Sequence, residues 1–234
     1  MERISTGISG LDEMIEGGFK KNNAILVGGG CGSGKSTLGM QFLVHGAKNK
    51  APGVYVTFEE EPEAVIENMS RHGWDLQKFI DKDLIDIIHV QPQEVMHIVN
   101  QEYGMIMDSI EQKKAKRIVI DSLTSIEMLI ESEYEKRHSI LRLINWLRGH
   151  GVTSLLTAEA EQDPTAYSRY GIMEFIVDGV VVLYNIRRGR SRVRALEVLK
   201  MRGTKNNTNL VPYVIDKGIQ LQPKQPLFGA IDED

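Results

Sequence analysis

The chain has 234 residues, 41% hydrophobic and 26% charged, with one cysteine and a formal charge of −4. That length suits one large domain with a proper core and is short for two. A lone cysteine, Cys31, excludes an internal disulfide. With no signal-like N-terminus and no apolar run near about 20 residues, the expected setting is reducing and cytoplasmic, without a membrane span.

Apolar runs alternate with helical patterns along most of the chain. Residues 24–27 read as a strand, and 37–47 repeat apolar residues at helical spacing (Leu38, Phe42, Leu43, Ala47) before Pro52-Gly53. A strand over 54–58 precedes Pro62, well placed as the first residue of a helix that Gly73 ends. Strands are then predicted over 85–90, 117–121 and 152–158, with helices over 95–110 and 135–148 between them. Strands separated by helices predict an α/β fold, a mostly parallel sheet with helices on both faces. The last third reads as strands over 176–185, 192–201, 211–215 and 218–222 joined by tight turns, an antiparallel extension of that sheet. The expectation is one domain over 1–222 and a flexible tail over 223–234.

Residues 29–36, GGCGSGKS, fit the phosphate-loop pattern through Gly29, Gly34, Lys35 and Ser36, between a strand and a helix. Glycines let backbone N–H groups curl toward phosphate oxygens at a helix N-terminus. Lys35 is then placed for the β- and γ-phosphates and Ser36 for Mg²⁺, with Gly30, Cys31, Gly32, Ser33 and Thr37 completing the nucleotide contact. Cys31 reads as a small filler; the competing reading is an acidic thiol near a helix N-terminus. Asp121, at the end of the buried run in RIVIDS, is the expected carboxylate of the metal shell.

The strand YVTF runs directly into Glu59, Glu60 and Glu61. Three adjacent carboxylates repel, and a plain turn would use Gly, Asn or Asp. Ser122 follows Asp121, so a water-orienting carboxylate has to come from another strand end. Glu59 and Glu60 qualify, on the same sheet edge as the phosphate loop, while Glu61 before Pro62 favours a helix N-terminus. The competing reading of the triplet is a solvated acidic turn.

These motifs together make the chain resemble the KaiC-type branch of the RecA-like ATPases. The likeness is carried by STGISGLDEMIEGGF before the phosphate loop, GVYVTFEEEPE, IDSLTS, YSRYGIMEFIVDGVVVL and LEVLKMRGT. The resemblance implies a RecA-like P-loop fold, Mg²⁺-dependent hydrolysis of ATP, and hexameric rings with nucleotide between subunits. It maps the paired catalytic glutamates onto Glu59 and Glu60, and it implies that Lys200 and Arg202 reach a neighbour's γ-phosphate. Autokinase activity is not expected, because residues 173–178, MEFIVD, lack the hydroxyl pair of the family's phosphorylated domain.

Residues 187–205 hold eight basic residues against Glu197, a net +7 that leaves −11 for the rest. That stretch reads as a solvated hairpin, a contact to nucleic acid, or an intersubunit contact. Strict alternation would put Arg192, Arg194, Leu196, Val198, Lys200 and Arg202 on one face. The acidic loop AEAEQDPTAYSRYG would repel a phosphate backbone, so nucleic acid is not the favoured partner. No Cys-His spacing predicts zinc, and Trp74 and Trp146 read as core. The leading expectation is a homo-oligomeric Mg-ATPase, with an unidentified protein partner open. The alternatives are a nucleotide-gated regulator with negligible hydrolysis and a recombinase-like, DNA-dependent ATPase.

Overall fold

The computed structural model describes residues 2–95, 104–160 and 171–225. A small antiparallel ribbon, β1 (Arg3–Ile4) with β2 (Phe19–Lys20), leads into the main sheet. Its parallel part comprises β3 (Ala24–Gly29), β4 (Gly53–Thr57), β5 (Ile85–His89), β6 (Arg117–Asp121), β7 (Thr153–Glu159) and β8 (Gly179–Arg188). All six residues of β3 and all five of β4 are buried, as continuous apolar runs must be when helices cover both faces. β9 (Ser191–Met201), β10 (Val211–Asp216) and β11 (Gly218–Leu221) continue the sheet antiparallel, in the order β11-β10-β9-β8-β3-β7-β6-β4-β5.

One face carries α1 (Leu11–Met14), α2 (Lys35–Lys48), α3 (Pro62–Ser70) and α4 (Leu76–Ile80). The other carries α5 (Met105–Lys113), α6 (Leu123–Glu127), α7 (Glu133–Gly149) and α8 (Met173–Ile176). Pleating divides each strand between the two cores: Tyr55 belongs to the α2 side, Val54 and Val56 to the α7 side. Each such fully buried side chain stabilises the fold by roughly 1.5–3 kcal/mol.

The predicted architecture stands, with local corrections. Residues 96–103 of the helix expected over 95–110 lie outside the described residues; the helix after them begins at Met105, behind Gly104. The strand expected from 176 begins at Gly179. Met173–Ile176 is a helical turn instead, because Asp178 is held by the Ala24 N–H (2.9 Å) and by Arg148 (2.7 Å), which fixes the chain before the strand. The helices α4 and α6 were not anticipated; both are only five residues long. Trp74 is buried, whereas Trp146 is half-buried with its ring 4.3 Å from that of His150.

The single-face reading of β9 is also corrected. Val180 pairs with Lys200 but Val181 pairs with Val198, so Leu199 is an extra residue in a β-bulge. Leu196 and Val198 pack into the α2-side core, and beyond the bulge Met201 takes up that side. Lys200 and Arg202, flanking Met201, are thereby turned toward α8. Of the tail expected over 223–234, residues 226–234 lie outside the described residues. No helix among the described residues is long and apolar enough to cross a membrane.

Candidate nucleotide site

β3 ends at Gly29, where any larger side chain is excluded: a Cβ there would sit 2.5 Å from the Leu183 carbonyl oxygen and 2.6 Å from Ser33 Oγ. The loop turns back at Gly34, whose φ of +95° is left-handed and starts α2. Lys35 is the first helical residue, and its Nζ donates to the carbonyls of Gly29 (2.8 Å) and Gly30 (3.2 Å). Burial lowers the Lys35 pKa, while Asp121, Glu159, Cys31 and Glu59 push it back up. The Ser33 carbonyl accepts from the Tyr213 hydroxyl, so β10 braces the loop from behind. Cys31 is exposed, and its carbonyl accepts from Asn185 Nδ2 at 3.2 Å.

The Asp121 carboxylate ends β6 and is fixed at both oxygens: Oδ1 accepts from Thr157 Oγ1 and Oδ2 from Tyr55 Oη, each at 2.5 Å. Burial raises the Tyr55 pKa, and the adjacent Asp121 charge raises it further, so the phenol stays a donor. Thr57 folds the glutamate turn, accepting from the Glu60 N–H (3.0 Å) and donating to the Glu60 carbonyl (3.0 Å). The three glutamates then part company. Glu59 accepts from Ser125 Oγ at 2.9 Å, Glu60 accepts from Asn68 Nδ2 at 2.9 Å, and Glu61 lies 2.9 Å from His89 Nδ1.

Lys35, Ser36, Glu59, Glu60 and Asp121 line one cavity of about 130 Å³, joined by Tyr55, Thr57, Val65, Ser122 and Glu159. Glu61 is not among them. Glu159, which the sequence groups with an acidic loop, ends β7 opposite Gly29, and the TSLLTAE pattern places it on the same edge as Asp121. A second cavity of about 490 Å³ adjoins the loop through Gly32, Gly34 and Thr37, and is walled by Arg71, His72, Arg194, Ile215 and Asp216. No short motif flags that wall, which is drawn from three separate segments.

Lys200 and Arg202 are not brought to this cavity. Gly179 pairs with both Ile25 and Met201, so they stand at the sheet edge where β3 begins, opposite the edge where the phosphate loop emerges. Lys200 Nζ donates to the Glu174 carbonyl, and Arg202 donates to the Phe175 carbonyl at 2.9 Å. Among the described residues no three His, Cys, Asp or Glu side chains converge on a point. The donors next to the loop are oxygens, Asp121 and Ser36, which suits a hard cation that completes its shell with phosphate oxygens and water.

A phosphate loop closing onto a strand-end aspartate in a parallel sheet with antiparallel strands at one end is the RecA-like P-loop ATPase architecture. The family model described as "ATPase: KaiC" matches residues 4–226, and the chain belongs to that family. It is 38% identical to the circadian clock oscillator protein KaiC of Prochlorococcus marinus subsp. pastoris, over 94% of this chain and 45% of that protein. It is 36% identical to the circadian clock protein KaiC3 of a Synechocystis species, over 95% of this chain and 46% of that protein. The chain thus spans less than half the length of either relative. A solved KaiC-like protein from the archaeon Pyrococcus horikoshii OT3 superposes with a TM-score of 0.83 at 36% identity, covering 95% of this chain and 99% of that one.

Proposed function

We propose that this chain hydrolyses ATP with Mg²⁺ at the interfaces of a homo-oligomeric ring, a hexamer, in a reducing, cytoplasmic setting. The observation that carries the reading is the division of parts. Glu59, Glu60, Asp121, Ser36 and Lys35 share one cavity, while the paired cations lie on the opposite sheet edge.

The phosphates sit on the N–H groups of the loop, and Lys35 leaves the carbonyls of Gly29 and Gly30 for β- and γ-oxygens. The nucleoside end lies in the larger cavity, between Arg71, His72, Arg194 and Asp216. Asp121, held by Tyr55 and Thr157, and Ser36 would hold the metal, which when bound neutralises charge on the β- and γ-phosphates. Glu59 and Glu60 orient the attacking water and take its proton, aimed by Ser125 and Asn68. Lys200 and Arg202 act on the γ-phosphate of the neighbouring subunit, where they stabilise charge that develops during transfer.

Phosphate release in Mg-ATP, with and without single-stranded DNA, tests the reading alongside light scattering. DNA-independent turnover by a ring is expected, and Lys35→Ala is expected to lose nucleotide binding by calorimetry. Binding without turnover would mark a nucleotide-gated regulator that acts on a protein partner. Turnover only with DNA would mark a recombinase-like enzyme. Full activity in a strict monomer would overturn the trans role of Lys200 and Arg202.

A further inference from the structure

One imidazole touches the glutamate turn at both ends. His89 closes β5 in register with Thr57 of β4, and Thr57 is itself in register with Asp121. From that position His89 Nδ1 lies 2.9 Å from Glu61 Oε1, and Nε2 lies 3.4 Å from the Phe58 carbonyl oxygen. A carboxylate and a carbonyl only accept, so either neutral tautomer holds one of these oxygens and the protonated ring holds both. Phe58 and Glu61 are the residues just before and just after Glu59 and Glu60, the pair that lines the cavity.

Ser125 and Asn68 orient the carboxylates of that pair, but both act at side-chain tips. The backbone that carries the carboxylates is held separately. On its inner side Thr57 Oγ1 engages the N–H and the carbonyl of Glu60 (3.0 Å each), and the Phe58 N–H donates to the Asp121 carbonyl at 3.2 Å. On its outer side the Val90 N–H donates to the Thr57 carbonyl (3.0 Å), which anchors the end of β5 to the root of the turn. The His89 ring then spans the turn from Phe58 to Glu61. The Glu61 side chain makes no capping bond to α3, which begins on Pro62.

We propose that His89, acting through Glu61 and the Phe58 carbonyl, is a positioning residue that aims Glu59 and Glu60 at the attacking water. The third glutamate of the triplet then serves the geometry of the turn and takes no proton. A contact with a carboxylate as exposed as that of Glu61 adds little to folding stability, whereas a base has to stand within hydrogen-bond reach of its water. The inference rests on the proposed hydrolytic role of Glu59 and Glu60.

The test uses the full chain with His89→Ala, Glu61→Ala and the two combined. In His89→Ala, kcat is expected to fall about 10-fold, short of the roughly 10²-fold cost of a misplacement of about 1 Å, with KM for ATP and the unfolding midpoint unchanged. Glu61→Ala keeps the Phe58 contact and should lose less. The combined variant should lose no more than His89→Ala alone, because the two residues act through one contact. Added to the Glu59→Gln/Glu60→Gln variant, His89→Ala should cost nothing further in single-turnover phosphate release, since no base is left to aim. A purely structural role would lower stability or ATP affinity along with kcat, and would still show in that background. Amide exchange at Glu60 should also speed up in His89→Ala, a readout independent of turnover. Should His89→Ala prove too unstable to assay, Glu61→Ala decides alone, because Glu61 is largely exposed. Wild-type kcat in the assayable single variants, losses that add, or a further loss in the glutamine background would overturn the inference and leave the proposed function intact. No hydrolysis by wild type would instead overturn the proposed function, and this inference with it.

Discussion

Arg202→Ala tests whether a single subunit contains a complete site. Met201 lies two strands across from Gly29, and its partner Gly179 pairs four residues back from Gly29 in β3 register. At about 3.3 Å per residue and about 4.8 Å per strand, Met201 is about 16 Å from Gly29, and the phosphates lie further on. Arg202 is instead tied to the Phe175 carbonyl and lies 3.9 Å from Asp178. An arginine delivered in trans is worth about 10³ to 10⁵ in rate, or about 4–7 kcal/mol. Because Lys200 remains beside it, the expected loss is at the low end, about 10³. Arg202 is largely exposed, so folding stability is expected to change by less than about 1 kcal/mol. Phosphate release and calorimetry on the same preparation separate these effects, with turnover lost and ATP affinity kept. Mixing Arg202→Ala with Lys35→Ala subunits adds a sharper measurement. The first keeps a working phosphate loop and the second keeps a working arginine, so under random mixing about one interface in four is whole. Turnover by Arg202→Ala alone at the wild-type rate, or no recovery in rings shown to be mixed, would refute the reasoning.

Replacing Glu59 and Glu60 together by glutamine should keep ATP binding and lower turnover by about 10² or more, measured by single-turnover phosphate release; a normal rate would return the triplet to an acidic turn. Tyr213→Phe removes the hydroxyl that braces the Ser33 carbonyl, and should weaken ATP binding by calorimetry, by about 0.5–1.5 kcal/mol. Glu127→Gln should also change stability with a definite sign. The folded-state pKa of about 7 lies above the ordinary 4.5, so Glu127 destabilises the native state as pH rises from the lower value through the higher one. Denaturant unfolding should show the variant more stable than wild type above neutrality, by up to about 3 kcal/mol, and nearly equal in acid. Equal midpoints at alkaline pH would mean that Glu127 reaches water.

Much of the fold was legible because buried parallel strands are continuous apolar runs and their ends are punctuated. AILVGG, VYVT and RIVID needed no tertiary information to be read as strands that end on one edge. Adjacent strands in register then bring Lys35, Asp121 and the glutamate turn together, so the cavity was largely readable too. The division of the glutamates was not. Glu59, Glu60 and Glu61 are chemically identical neighbours, and what separates them is Ser125, Asn68 and His89, two of the three far away in sequence. The burial of Glu127 was equally hidden. A glutamate in a five-residue helix reads as a solvated face until the helices on either side are placed.

The bulge at Leu199 shows where pattern reasoning reaches its limit. Alternation carries a strand's facing forward only while each residue opposes one partner, and a single extra residue reverses everything beyond it. Here the reversal falls just before Lys200, and either parity gives a plausible mixture of apolar and basic residues, so the sequence offers no contradiction to notice. Its consequence is specific. Without the bulge, Lys200 would stay on the side of Leu196 and Val198, against the α2-side core. With it, Lys200 and Arg202 take α8 carbonyls at the edge away from their own phosphate loop. On the proposed reading, one inserted residue decides whether these cations face their own core or the neighbouring subunit's nucleotide.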